Sequence, residues 1–320
     1  MRLALNFNAR GAKRTAGGAE VRDWPDDRRR VERLRVRNEP AREETPIITS
    51  AANPTVRRIR QLRTRKERER TGAYYVEGIR IVAQAVKSGA DVELCAVSPQ
   101  LLSSEYAWGV IETLRSDGVP VVELSPAAFG AISFKENLQG LGAVVRQRME
   151  PLSEVELGDT LGWVTLDAVG NPGNLGAILR TCDAVGCEGV ILLGHTTDPY
   201  HPSALRAGMG AHFAQRLVRA EFAEFAAWKR QHNFSVVGTS DAAETEYRAV
   251  EYPIPVVLLM GSERQGLSAE QQAVSDLLVR IPMVGTSDSL NLAVATSVVL
   301  YEAFHQRRAA QLDPQPGSDA

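Results

Sequence analysis

Residues 171–186, NPGNLGAILRTCDAVG, constrain this chain more than any other stretch, because they lie between two short apolar runs, 163–166 and 190–193. The pattern predicts strand, tight loop, helix, strand. Pro172, Gly173 and Gly176 supply the loop. Leu175, Ile178, Leu179 and Cys182 recur at i, i+3, i+4 and i+7, the stripe of a helix laid on a sheet. Arg180 falls roughly opposite that stripe, with Gly176 and Ala184 one turn away on either side, so a long cation can reach past its own helix.

Charge divides the chain. Residues 1–46 hold 12 Lys/Arg and 8 Asp/Glu, residues 47–70 hold 8 and 2, and residues 71–320 hold 17 and 29, so a basic leader precedes an acidic body although the formal net charge is -2. Clustered cations favour a polyanionic partner through counterion release, whereas on charge alone a solvated basic helix explains them equally well. Cys95, Cys182 and Cys187 are an odd number without metal-ligand spacing, which fits a reducing compartment with no disulfide framework and no metal. No apolar run reaches bilayer length, so a soluble, cytoplasmic protein without a membrane partner is expected. Arg2, Arg10, Lys13 and Arg14, with no acid in residues 1–19, also suit an organelle transit peptide, against which the lack of serine argues.

Taken in order, residues 1–46 are too poor in large apolar side chains to order themselves and are expected to form a disordered basic extension. Asn53 and Pro54 give an N-cap and first-turn signal for a basic helix over 55–70. Strands near 74–76, 92–97 and 119–124 then alternate with helices over 78–87 and 104–115. The segment 126–132, a polar loop and a strand near 142–145 complete a small α/β unit within 47–150. Residues 151–160 read as a linker. From 161 to 310 the alternation resumes, with strands near 163–167, 189–193, 234–239, 256–260 and 278–281, several of them continuous apolar runs as in a parallel sheet covered on both faces. A last helix over 289–304 is apolar on nearly every side, which requires burial all round, in the core or against a second subunit. The tail 311–320 should be flexible.

Ligands of open parallel sheets sit beyond the carboxyl ends of strands. Three loops belong there: 171–174, 261–268 (GSERQGLS) and 281–291 (IPMVGTSDSLN). Each has an ordinary explanation. Glycines after strands punctuate turns; Asn174 can cap its helix, Arg180 can be solvated, and Glu263 can pair with any nearby base. Ser289 and Asn291 can satisfy the first turn of the last helix. Gly261 and Gly266 would also allow close backbone approach to a ligand, and Ser268 with Gln271 forms a capping box. Gly170, Gly173 and Gly176 spell G-x-x-G-x-x-G rather than the G-x-G-x-x-G of dinucleotide binders, so an NAD-dependent oxidoreductase is a weak alternative. His195, His201 and His212 lack zinc spacing.

In order and spacing, NLGAILRTCDAVG, MGSERQGLS and IPMVGTSDSLNLAVA resemble the three signature motifs of the SpoU/TrmH family of SPOUT RNA ribose 2′-O-methyltransferases. Upstream, NPTVRRIRQL and YYVEGIRIVAQAV are similar to the start of the ribosomal-protein-like α/β RNA-binding domain that many members carry. The resemblance implies an α/β fold with a mostly parallel sheet and a deep trefoil knot, S-adenosylmethionine as cofactor, an RNA substrate and a homodimer packed partly through the last helix. Carried over by motif, cofactor contacts fall on Met260, Gly261, Gly266, Ile281, Met283 and Leu290. Catalytic and substrate-positioning roles fall on Asn174, Arg180, Glu263, Ser289 and Asn291. Arg57, Arg58, Arg60, Arg63, Arg65 and Lys66 would grip RNA. Asn171 and Gly208 stand where the family commonly has Asp and Ser. Arg180 is expected to be essential, either as a base or as a stabiliser of the developing oxyanion. Large-subunit rRNA of the 23S type is the expected substrate; tRNA, or a catalytically silent RNA-binding module, are the alternatives.

Overall fold

The computed structural model describes residues 46–134, 136–232 and 234–312; the expectations for 1–45 and for 313–320 lie outside the described residues. Two sheets organise what is described.

The first begins with two short helices. α1 (Pro54–Gln61) is capped by the Asn53 side chain, which accepts from Thr55 N at 2.9 Å. The single helix expected over 55–70 is broken, because Thr64 caps a second one, α2 (Arg65–Thr71), accepting from Glu67 N. The carbonyls of Leu62 and Arg63, orphaned by the break, are taken by Arg68 Nη1 at 2.8 Å each. There follow β1 (Ala73–Glu77), α3 (Ile79–Lys87), β2 (Val92–Val97), α4 (Glu105–Ser116), β3 (Val121–Glu123), α5 (Pro126–Ile132) and β4 (Leu141–Arg146). The sheet order is β1-β4-β2-β3, with β4 antiparallel to both neighbours. Val56, Ile59 and Leu62 bury one edge of the basic segment against Phe129 and Ile132.

The joining segment is fastened rather than loose: Leu152 and Val155 are buried against Trp163 and Phe225. The second sheet contains β5 (Gly162–Asp167), β6 (Gly189–Leu193), β7 (Arg216–Ala220), β8 (Val236–Thr239), β9 (Thr245–Glu246), β10 (Val256–Met260) and β11 (Leu277–Arg280). Its order is β7-β6-β5-β10-β8-β11-β9, parallel at every pairing. Its helices are α6 (Pro172–Val185), α7 (Pro202–Gly208), α8 (Phe222–His232), α9 (Ala269–Val274) and α10 (Leu292–Leu312). The edge strands β7 and β9 were not expected. β7 shows only Leu217, Val218 and Ala220 to the interior, while Arg216 lies over the Trp163 ring and pairs with Glu150 and Glu188. Two arginines in five residues erase the apolar run that marks a central strand.

Two further expectations are refined. Within one chain α10 is not buried all round, which leaves the second-subunit alternative open: Val294 and Tyr301 are about half exposed, seven positions apart on one face, while Thr296, Val299, Leu300 and Ala303 are buried. It also starts at Leu292 and runs through Gln311 and Leu312 as one helix. No described helix is long and apolar enough to cross a membrane.

The two sheets are locked together. Arg68, 1% exposed, directs Nε and Nη2 at Asp198 Oδ2 (2.7 and 2.6 Å), and Asp198 Oδ1 accepts from Tyr200 N. The Tyr74 and Tyr200 rings stack at 4.5 Å, and Tyr200 Oη donates to the Arg148 carbonyl.

Candidate active site

β5 and β10 are adjacent at the centre of the seven-stranded sheet. From β5 the chain first moves outward through β6 and β7, then returns on the other side, so the loops after β5 and β10 meet where the strand order reverses, the usual ligand crevice of such sheets. Just past β5 the chain turns at Ala168, whose φ of 44° is in the left-handed region that non-glycine residues seldom occupy.

α6 opens there, and its cap is Asn171, not Asn174. The Asn171 side chain accepts from Gly173 N (2.8 Å) and Asn174 N (3.4 Å), with Pro172 in the first turn. This is the Asn-Pro signal that also marks α1, and it could have assigned the cap from sequence. Relieved of capping, the Asn174 side chain joins the other two loops. Its Nδ2 donates to Glu263 Oε1, and its Oδ1 accepts from Asn291 Nδ2 at 3.0 Å. Glu263 Oε2 accepts from Gly170 N at 3.2 Å, a backbone contact that sequence reasoning missed. Asn291 Oδ1 in turn caps α10, accepting from Ala293 N at 3.0 Å and Val294 N at 3.4 Å. One connected chain of bonds therefore spans all three loops. The chemistry orders itself: an ionised carboxylate can only accept, so it takes the Asn174 amide N–H, leaving the Asn174 carbonyl to receive Asn291.

Arg180 and Ser289 stand outside this network. Arg180 is exposed and has no hydrogen bond or ion pair among the described residues. Six positions beyond Asn174, it lies about a third of the way round α6 from it. Gly176 seats α6 on α7, since a Cβ there would overlap the Ala204 carbonyl. On the side nearer Asn174, Thr181 Oγ1 and Ser297 Oγ are 2.9 Å apart, tying α6 to α10. Arg180 is thus left at the surface between two packed neighbours.

The loop 261–267 closes on itself. Ser262 and Gly266 exchange backbone bonds of 3.1 and 3.0 Å, Gly266 has φ +65°, and a Cβ on Gly261 would overlap the backbone of Gly266 and Leu267. The close approach that Gly261 permits is therefore to its own chain. The expected capping box of Ser268 and Gln271 starts α9. Met260 is buried, and Thr239 Oγ1 lies 3.5 Å from its sulfur. Loop 282–290 is exposed throughout and, among the described residues, forms no hydrogen bond. Met283 and Leu290 are more than a third exposed, Val284 is fully exposed, and Ile281 is half-buried. No group of three His, Cys, Asp or Glu among the described residues could hold a metal ion.

The basic segment divides by role. Arg58 pairs with Glu93, Arg65 with Glu69, and Arg63 donates to the Ser133 carbonyl, while Arg57, Arg60 and Lys66 are exposed without partners among the described residues.

Comparison with known proteins agrees with this geometry. The SpoU rRNA Methylase family matches residues 163–301, and an MRM3-like substrate binding domain matches 53–143. The chain is 30% identical over 262 residues to the 23S rRNA (uridine(2479)-2′-O)-methyltransferase of Streptomyces viridochromogenes, covering 80% of this chain and 90% of that one. It is 31% identical over 255 residues to the 23S rRNA (guanosine(2553)-2′-O)-methyltransferase of Bacillus subtilis, covering 79% and 97%. The crystal structure of an AdoMet-bound rRNA methyltransferase from Sinorhizobium meliloti superposes with a TM-score of 0.75 at 37% identity, over 82% of this chain and 98% of the other. With its three motif loops bonded to one another at the switch point of a parallel sheet, the chain belongs to the SpoU rRNA methylase family.

Proposed function

We propose that the protein transfers a methyl group from S-adenosylmethionine to a ribose 2′-hydroxyl of large-subunit ribosomal RNA. The observation that carries this reading is the Glu263–Asn174–Asn291 chain of bonds, which fixes three loops of different sequence position around one crevice. The names of the relatives and the substrate-binding match at 53–143 support rRNA as the substrate.

Loop 282–290 and the end of β10 suit the cofactor. Exposed apolar side chains at Met283 and Leu290, beside backbone groups that form no bonds among the described residues, offer an apolar wall and unused donors and acceptors to an adenosyl group. Bound there, the cofactor supplies an electrophilic methyl on a sulfonium. The ribose 2′-oxygen would take the methyl carbon as its bond to sulfur breaks, leaving the neutral thioether S-adenosylhomocysteine, while the hydroxyl proton would pass to water. Arg180, exposed at the surface of α6 beside this network, acts by stabilising charge on that oxygen. Asn174 and Asn291 position the α6 face, and most of the acceleration comes from holding two reactants together. Ser289, exposed on the same loop as Leu290, contacts the ribose.

On this reading the crossing of segments around β8, β9, β10 and β11 is the family's trefoil knot, and the exposed Val294–Tyr301 face of α10 packs in a homodimer. Sedimentation velocity giving a single species at monomer mass would refute the dimer. The activity is tested by mapping 2′-O-methyl groups in RNA from cells with and without the gene: one large-subunit position should lose its methyl. An unchanged map, together with no methyl transfer by purified protein, would overturn the proposal.

A further inference from the structure

A second concavity, of about 260 Å³, lies between the two sheets, away from the three loops. One wall is the end of β1 and the start of α3; the other is α7. Pro202, Leu205 and Arg206 line it from one face of that helix, at i, i+3 and i+4, and Met209, the left-handed residue just past its end, lines it too. Ala204 and Ala207, on another face, press on Gly176 of α6. A single helix about 10 Å across therefore separates this cleft from the helix that carries Asn174 and Arg180.

The cleft is built, not incidental. Its floor holds Glu77, 6% exposed, whose carboxylate accepts from Ser133 Oγ at 2.6 Å and Phe134 N at 2.9 Å, pinning the Phe134 loop to β1. The Phe134 ring, which lines the cleft, is further fixed by the Arg63 guanidinium 5.1 Å above it and the Tyr75 ring at 5.7 Å. Tyr75, another lining residue, has a fully buried hydroxyl with no hydrogen-bond partner among the described residues. Met209 is 47% exposed and extends the apolar wall. At the rim Arg80 and Arg206 are exposed, and neither has an ion-pair partner among the described residues.

We infer that this cleft receives one unpaired nucleotide of the RNA substrate, its base against Phe134 and the apolar wall and its phosphates against Arg80 and Arg206. The inference rests on the reading of the protein as an RNA methyltransferase. A fixed aromatic ring in a largely apolar slot, with two guanidiniums at the rim that have no ion-pair partner among the described residues, matches what single-stranded RNA presents: a stackable base between negative phosphates. The volume falls below the roughly 300 Å³ at which sites for complete small molecules begin, which suits one nucleobase of a longer chain. RNA lying across α7 would then be gripped within a few nucleotides of the ribose held at α6, giving the enzyme a reason to prefer a target near a bulge or loop.

The test uses the full chain and two RNA hairpins with the same stem, one fully paired and one carrying a single bulged nucleotide. Fluorescence anisotropy should show the wild type preferring the bulged hairpin by about tenfold. Phe134→Ala should abolish that preference. Arg80→Ala with Arg206→Ala should lower affinity and reduce the log–log salt slope by about one per arginine. Calorimetry with S-adenosylmethionine reports folding of each variant. Because a variant can fail to fold, the unaltered protein is also irradiated with a hairpin bearing 4-thiouridine at the bulge, and cross-links should fall on peptides containing Phe134 or Met209. Equal wild-type affinity for the two hairpins, a preference that survives Phe134→Ala, or cross-links elsewhere would overturn the inference. A wild type that binds the cofactor and neither hairpin would instead remove the RNA reading on which it rests.

Discussion

Glu263 accepts from Gly170 N and from Asn174 Nδ2, while Asn174 Oδ1 accepts from Asn291. Glu263→Gln breaks this pattern, because the new amide can accept once but turns N–H groups towards the remaining donor. The loss of one charge-assisted bond costs about 1.5–3 kcal/mol, and the lower end applies because Glu263 is exposed. Asn174→Asp breaks it differently, setting two carboxylates in contact, a repulsion of about 1 kcal/mol in water rising to about 4 kcal/mol at an effective dielectric constant of 20. Combining Glu263→Gln with Asn174→Asp reverses the polarity of the whole chain. The introduced carboxylate at position 174 accepts from Asn291 and from the introduced amide at position 263, and the carbonyl of that amide accepts from Gly170 N. Every bond is retained with the charge moved to the facing side chain.

If the network positions the loops, each single variant should lower kcat/KM by about 10- to 100-fold, and the double should lie within about threefold of wild type, a coupling of about 2–5 kcal/mol. Methyl transfer from radiolabelled S-adenosylmethionine into rRNA from cells lacking the gene measures it, with cofactor affinity followed separately by calorimetry. A double variant as impaired as the product of the singles would refute positioning and require the negative charge at position 263 itself. Singles indistinguishable from wild type would show the bonds to be idle.

Arg180→Ala should retain cofactor affinity and lose at least about 100-fold in kcat, in line with removal of a charge-stabilising donor; unchanged turnover in rRNA methylation would exclude it from the mechanism. Arg68→Met leaves Asp198 buried without its cation and should cost about 3–5 kcal/mol in denaturant unfolding, whereas Arg57→Ala should leave stability unchanged and lower the salt slope of RNA binding by about one. Burial pushes the His212 imidazole down to about 4, against an ordinary value near 6.5, despite an opposing bond to the Pro199 carbonyl and the nearby Asp198. Below pH 6.5 the unfolded chain binds a proton that the native state refuses. Stability should therefore fall by about 3 kcal/mol in all as pH drops from about 6.5 to 4, and His212→Gln should flatten that part of a thermal-unfolding profile.

What the sequence made legible was what repeats along the chain. Leu175, Ile178, Leu179 and Cys182 are all fully buried, as their spacing required, and Ser268 with Gln271 forms its capping box because both partners lie within one turn. Legibility ended where a side chain's partner lies far away in sequence. Arg58 and Arg63 read as members of a phosphate-gripping row, yet one pairs with Glu93 and the other holds the Ser133 carbonyl, 70 residues on. For α10 the sequence left core and second subunit open, because periodicity reports which side chains avoid water, not whether this chain or another covers them.

The same limit governs the site. Motif spacing brought three loops to one edge of the sheet, but the assignment within them depends on which atoms are left over once local needs are met. Asn171 takes the α6 cap, and this frees Asn174. Asn291 caps α10 with its carbonyl, and this frees its amide for Asn174. Glu263, with no cap to serve, has both oxygens available and turns them on Gly170 and Asn174. Arg180, on the same helix as Asn174, is a long cation that these bonds leave without a partner among the described residues, and on the proposed function a guanidinium with no protein counterion would be free to meet a ribose and its phosphate.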